Sequence, residues 1–374
     1  MRYVSSYTYE AAYDARSLAP VAGYAVGTLV FSALVIQQTS PKKFTGGVLA
    51  PNGHIYMVPR LADNIGDFDP ATGAFSVIDI SDVISHDWKY SGGVLAPNGH
   101  IYMVPELANS IGDFDPATGA FSVIDISDVI SHDWKYAGGV LAPNGHIYMV
   151  PLRANSVGDF DPATGVFSVI DISDVISHDW KYRGGVLAPN GHIYMAPKHA
   201  DSVGDFDPKT GKFKAIDISD VISHDDKYYG GVLAPNGHIY MVPHNANSIG
   251  DFDPATGVFS AIDISGVISH DLKYTGGVLA PNGHIYMVPA CANSIGVFDP
   301  ATGAFSVIDI PGVISHDGKY AGGVLAPNGH VYMAPYSANS VGKLHLGSNE
   351  PAYKVAGGVP ATWGALMSPH FNKY

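Results

Sequence analysis

The sequence predicts an all-β chain folded as a seven-bladed β-propeller of four-stranded antiparallel blades, and three observations carry that expectation. The phrase GGVLAPNGHIYM begins at Gly46, Gly92, Gly138, Gly184, Gly230, Gly276 and Gly322, with Val331 in place of Ile in the last copy, so the spacing is 46 residues throughout. Each unit holds four short strand-like runs separated by turn signals, which is the content of a propeller blade. The seventh unit lacks its fourth run, and a matching run stands near the N-terminus.

In the first unit the runs are GGVLAP (46–51), HIYMVP (54–59), IGDFD (65–69) and AFSVIDI (74–80). Asn52-Gly53 joins the first two as a hairpin signal, since both residues tolerate positive φ. Asp69-Pro70-Ala71-Thr72-Gly73 joins the last two, with Pro presetting φ and the Asp side chain free to bond the backbone ahead. One period back from 74–80 lies Thr28 to Leu34, TLVFSAL, preceded by Gly27 where the unit has Gly73. The seventh copy keeps its third run, Val341 to Leu346, and then leaves the pattern. A strand at 28–36 is therefore expected to complete the last blade and so remove the exposed edges that invite aggregation. The propeller is expected over 20–348, between tails at 1–19 and 349–374.

The chain has 374 residues, 46% hydrophobic and only 14% charged, with 43 Gly and 26 Pro recurring at fixed intervals. Such a composition can bury a large core and is not that of a disordered chain. A formal net charge of −14, with Lys and Arg scattered along the sequence, disfavours nucleic acid and anionic membrane surfaces as partners. The single cysteine, Cys291, leaves stability to packing and fits a reducing compartment. Glu10 and Asp14 ahead of the first apolar run argue against a secretory signal, so a cytoplasmic location is expected. The apolar stretch Val21 to Ile36 is interrupted by Gly23, Gly27, Thr28 and Ser32, too polar for a membrane helix, and reads as buried strand.

The phrases HIYMVP and DFDPATGAFSVIDI resemble propellers of the YVTN and NHL type, over about residues 28–347. The resemblance implies the architecture; that superfamily includes scaffolds, lectins, lyases and hydrolases, so it does not select an activity. The GGVLAPNG wording is also similar to a little-characterised repeat family of unicellular eukaryotes. No catalytic motif of either group matches a position here.

Strand alternation places the loops after the first and third strands on one side of the disc and those after the second and fourth on the other. The first side is monotonous: PNG in every copy, DPATG in nearly all. The second side is individual. After the second strand the pairs read Arg60-Leu61, Glu106-Leu107, Leu152-Arg153, Lys198-His199, His244-Asn245, Ala290-Cys291 and Tyr336-Ser337. In the loop after the fourth strand a second position reads Trp88, Trp134, Trp180, Asp226, Leu272 and Gly318. Before the double glycine a third reads Thr45, Ser91, Ala137, Arg183, Tyr229, Thr275 and Ala321. These positions are expected around the mouth of the central channel. Either exposed loops have drifted there, or a constant frame carries individualised contact residues.

Three successive Trp loops suit stacking on sugar rings or anchoring a protein contact, unless the indoles fold down between blades. The Ser-His-Asp run at 85–87 and its copies is no catalytic triad, whose members meet through the fold; His86 and Asp87 are expected to tie loops to strands. His54 and its copies are expected to bond the turn backbone rather than bind metal. Asp67, Asp69 and Asp79 offer oxygen ligands to calcium, but Asp69 is explained by its turn and Asp67 becomes Val297 in the sixth unit. The double glycines let inner strands crowd at the axis. No cofactor or metal is expected.

Near-identical blades favour a non-enzymatic binding scaffold for a protein or carbohydrate ligand, through repeated weak contacts. The candidate contact residues are Trp88, Trp134, Trp180, Arg60, Arg153, Arg183, Lys198, His199, Asp226, Tyr229, His244 and Tyr336. An alternative is an enzyme with one site made by symmetry-breaking residues of blades three to five, namely Arg183, Lys198, His199, Asp226, Tyr229 and His244. A third is a subunit of a larger assembly that docks through its tails.

Overall fold

The computed structural model describes residues 29–37 and 40–346. Twenty-eight strands form seven four-stranded antiparallel sheets. Blade one runs Phe44–Leu49, Ile55–Pro59, Asn64–Phe68 and Phe75–Asp79, from the axis outward. Blades two to six repeat it, and blade seven takes Val30–Val35 as its outer strand beside Ser340–His345. The expected tails, and Val21 to Thr28 of the apolar stretch, lie outside the described residues. No helix among the described residues is long and apolar enough to cross a membrane.

Burial follows position in the blade. The IYMVP strand is buried along its whole length because it is covered on both faces by neighbouring blades. The outer strand has no buried residue in blade one, only half-buried Phe75 and Ile78 among exposed neighbours. The apolar clusters lie between blades: Val94, Tyr102, Val104 and Ile111 of blade two pack on Tyr136, Leu141, Ile147 and Phe160 of blade three. Across the closure, Val324 and Tyr332 of blade seven pack on Phe44 and Phe68 of blade one in the same way.

Glycine permits two close approaches. Gly46 and its copies have positive φ at a bulge between the Phe44 and Gly47 pairings. At the axis a Cβ on Gly138 would stand 3.2 Å from the Cα of Gly184, so the inner strands do crowd there. The glycine of the third strand is equally constrained: a Cβ on Gly158 would meet Met149, Phe167 and Tyr136 at 3.1 Å each.

The closing strand pairs as expected but in another register. Phe31 opposes Leu344 and Leu34 opposes Val341, so VFSAL fills the places of AFSVI at 74–78, two residues later than the 46-residue count puts it. The cause is the loop from Ile36 to Phe44, which is two residues shorter than its counterpart from Ile80 to Tyr90. A two-residue slip keeps every side chain on its face. The strand is also an outer one rather than a buried one; only Phe31 is buried along it, and Val35 is 86% exposed.

The monotonous face is held by its own side chains. Asp69 accepts from the Ala71 amide at 2.8 Å and the Thr72 hydroxyl at 2.6 Å; on the other face, in the loop after the fourth strand, Asp79 accepts from the Ser81 amide at 2.9 Å. The Asn52 amide group donates to the Tyr56 hydroxyl at 2.8 Å. The His54 ring meets the Asp67 carboxylate at 2.6 Å, a cross-strand partner rather than the expected turn backbone. These carboxylates are engaged as turn and strand ties. The His86 ring meets only the Asp87 carbonyl, 2.9 Å away in its own loop, and does not reach a strand.

Candidate functional site

The loops after the second and fourth strands meet at one face, as strand alternation requires. The Lys89 amide donates to the Arg60 carbonyl of blade one, while the Lys89 carbonyl accepts from the Glu106 amide of blade two. Each such loop therefore staples two neighbouring blades. The seam repeats the bond, with the Lys43 amide donating to the Tyr336 carbonyl and the Arg60 amide to the Lys43 carbonyl.

The lysine of this loop is a feature the sequence reading missed. Lys43, Lys89, Lys135, Lys181, Lys227, Lys273 and Lys319 are all fully buried. The cations that look scattered along the chain converge here. Lys135 donates to the Leu107 and Ala108 carbonyls at 3.2 and 3.0 Å, and Lys89 pairs with Asp63 at 2.9 Å. Burial pushes Lys43, Lys135, Lys181 and Lys273 down to about 8. The signal was there: WKY, DKY, LKY and GKY keep their Lys while the residue before it changes.

That preceding residue has left-handed backbone in every blade. Its φ is 54° at Lys42, 57° at Trp88, 58° at Trp134, 60° at Trp180, 54° at Asp226, 56° at Leu272 and 62° at Gly318. Lys42 is the seventh member of the series, hidden from the sequence because the closing loop is short. Left-handed backbone suits Gly and costs another residue about 1–2 kcal/mol.

The three indoles form an arc. Trp88 and Trp134 have ring centroids 5.3 Å apart at 57°, and Trp134 and Trp180 5.4 Å apart at 49°. All three are half-buried. The Arg60 guanidinium lies 4.2 Å and the Lys42 ammonium 4.8 Å from the Trp88 ring. At the other end Lys198 lies 4.8 Å and Arg153 5.8 Å from the Trp180 ring, with His199 at 6.4 Å.

Beneath the arc the first residue of each pair points inward. Arg60 forms a bidentate pair with the fully buried Glu106, its Nε donating to Oε2 at 2.8 Å, and Nη1 donates to the Tyr336 hydroxyl at 3.1 Å. Arg153 donates to Asp179 at 2.9 Å. Lys198, 6% exposed, donates to Asp226 at 2.6 Å and to the His199 ring at 2.9 Å. The Tyr229 hydroxyl lies 3.4 Å from Asp226. Its ring stacks at 3.6 Å and 10° on His244 and lies 4.5 Å from the Arg183 guanidinium. His244 is in turn bonded to the Tyr274 carbonyl at 2.9 Å.

The electrostatics follow from this packing. Burial drives His244 down to about 4, so it is neutral near pH 7. Burial likewise lowers Lys198, only partly offset by Asp226, and lowers His199, with Lys198 adding to the effect. Burial pushes the Asp226 carboxyl up, but the bond and charge of Lys198 outweigh it and hold the group below the ordinary carboxylate range.

The structure links all twelve sequence-derived candidates through ring contacts and hydrogen bonds around the loops after the second and fourth strands, Arg153 through Trp180. It adds Lys42 and Glu106. Arg60, Glu106, Leu152, Lys198 and His244 are buried rather than exposed. Among the described residues no group of three or more His, Cys, Asp and Glu side chains is placed to hold a metal ion.

No known family profile matches the sequence, and no curated protein sequence is similar to it. Among solved structures it is similar to a streptogramin B lyase, at 18% identity and TM-score 0.68 over 85% of this chain and 98% of that one. It is similar to a catalytically inactive variant of virginiamycin B lyase from Staphylococcus aureus with quinupristin, at 14% and 0.71 over 85% and 100%. The extracellular domain of a hybrid two-component system from B. thetaiotaomicron is similar at 12% and 0.66, over 88% of this chain and 44% of that one. Likeness at these identities shows the fold alone, and it agrees with the resemblance to propellers of the YVTN and NHL type: the chain is a seven-bladed β-propeller.

Proposed function

We propose that the propeller is a binding scaffold whose ligand seats on the channel mouth formed by the loops after the second and fourth strands. One observation carries the reading. The rim position has left-handed backbone that Gly318 fills without strain, yet three adjacent blades place Trp there. A bulky residue retained at a strained position points to use rather than stability. The pairs below, Arg60 of blade one with Glu106 of blade two and Lys198 with Asp226, each occur once around the ring and make the seat asymmetric, as suits one ligand in one orientation.

The test is binding to glycan and peptide arrays by the wild type, by a Trp88/Trp134/Trp180→Ala variant, and by Lys209→Glu on the opposite face. The reading expects binding that the Trp variant loses and Lys209→Glu keeps. Binding lost only in Lys209→Glu would refute it.

An enzyme at the same mouth is a second reading, favoured by the contact among Lys198, His199 and Asp226. It expects turnover that Asp226→Asn alone abolishes, whereas the binding reading expects only a graded loss of affinity.

A further inference from the structure

We infer that blade seven is an acid-operated latch: protons taken up by the facing rings of His330 and His345, beside Lys343, loosen the closing strand Val30–Val35 from Ser340–His345 and so undo the ring at its seam.

A histidine follows the Asn-Gly turn in every blade, and its company changes only toward the end of the chain. In blades one to five its ring meets a carboxylate of the third strand, His54 on Asp67 and likewise in the copies, at 2.6–2.7 Å. A second carboxylate, Asp69 in blade one, follows two residues on. Blade six keeps only the second, because Val297 replaces the first. Blade seven keeps neither: Lys343 stands where Asp67 does, and His345 where Asp69 does.

Like groups therefore meet at this corner. His345 Nδ1 lies 3.2 Å from Nδ1 and 3.3 Å from Nε2 of His330, with ring centroids 4.4 Å apart at 57°. Lys343 is on the same strand as His345, its ammonium 6.0 Å from the Tyr332 ring. All three are half-buried. Across the seam, Asn328 and the Tyr332 hydroxyl donate to the Pro70 carbonyl of blade one. The carboxylate facing this corner from that turn, Asp69, already accepts from Ala71 and Thr72.

A proton on His54 completes an ion pair, whereas a proton on His330 sets cation against cation. Burial, with Lys343 and His345 adding to it, drives His330 down to about 4 from 6.5 for the free group. What the neutral ring contributes is complete above pH 6.5 and is lost as pH falls through 4. The place gives this its effect. His345 pairs with Val30, at the end of the ladder that joins the first and last described parts of the chain.

The experiment is hydrogen exchange on the full-length protein at about pH 7.5 and about pH 5, corrected for the intrinsic pH dependence of exchange. Ala120–Asp125, the outer strand of blade two, is the internal reference. Opening that frees His330 is expected to become about tenfold or more easier at the lower pH. Val30–Val35 and Ser340–His345 then lose protection by that factor relative to the reference. Lys343→Asp restores the carboxylate of the other blades, and His330→Gln removes the titrating ring; each is expected to cut the loss to about twofold or less. Equal losses in blade seven and the reference strand of the wild type would overturn the inference. So would a loss in blade seven that either variant keeps in full.

Discussion

Leu272 and Trp134 share a backbone conformation and differ in what holds them there. Leu272 is 45% exposed, while Trp134 is gripped by two other indoles. Relief of left-handed strain, less the added freedom of Gly in the unfolded chain, is expected to make Leu272→Gly more stable by about 0.5–1 kcal/mol; denaturant midpoints at constant m check it. His244 gives a pH signature. Held neutral in the fold at about 4 against 6.5 for the free group, it takes up its proton in the unfolded chain first as pH falls. Its contribution is thus complete above pH 6.5 and is lost as pH falls through 4, worth up to roughly 3 kcal/mol. His244→Gln, scanned in parallel by thermal unfolding, is expected to flatten that part of the profile. At this scale the sequence showed which positions vary but not which side chains meet. Arg60 and Glu106 lie 46 residues apart and look unrelated until the ring brings neighbouring blades side by side.

The strand-four-to-one loop is the element that turns seven sheets into one molecule. Its Lys caps backbone carbonyls, so Lys135→Met is expected to cost about 1–3 kcal/mol through loss of its bonds to the Leu107 and Ala108 carbonyls. Asp128→Asn, exposed in the same loop, is expected to change stability by less than about 0.5 kcal/mol. Urea unfolding of both variants separates the two cases. Strands and turns were legible because alternation, Asn-Gly and Asp-Pro-Ala-Thr-Gly are local signals. The buried Lys was not, because a cation between Trp and Tyr reads as surface until the loop is seen folded across a blade boundary. The register of the closing strand was legible in Phe31-Ser32, which repeats Phe75-Ser76, but a fixed 46-residue count passes over a shortened loop.

Closure governs the whole ring. Phe31 is the buried residue of the closing strand and packs edge-on against Tyr320 at 6.2 Å. Phe31→Ala is expected to cost about 3 kcal/mol and to raise amide exchange first in blade seven. One face is fixed by turn chemistry repeated in almost every blade, and the other is individualised around a strained aromatic rim. The most direct test of that division is Trp134→Gly, with stability and ligand affinity measured on the same protein. The binding account expects affinity to fall about tenfold or more while stability stays within about 1 kcal/mol, because relief of strain offsets the lost ring contacts. A loss of more than about 3 kcal/mol with affinity unchanged would make the Trp arc a packing element and contradict the account.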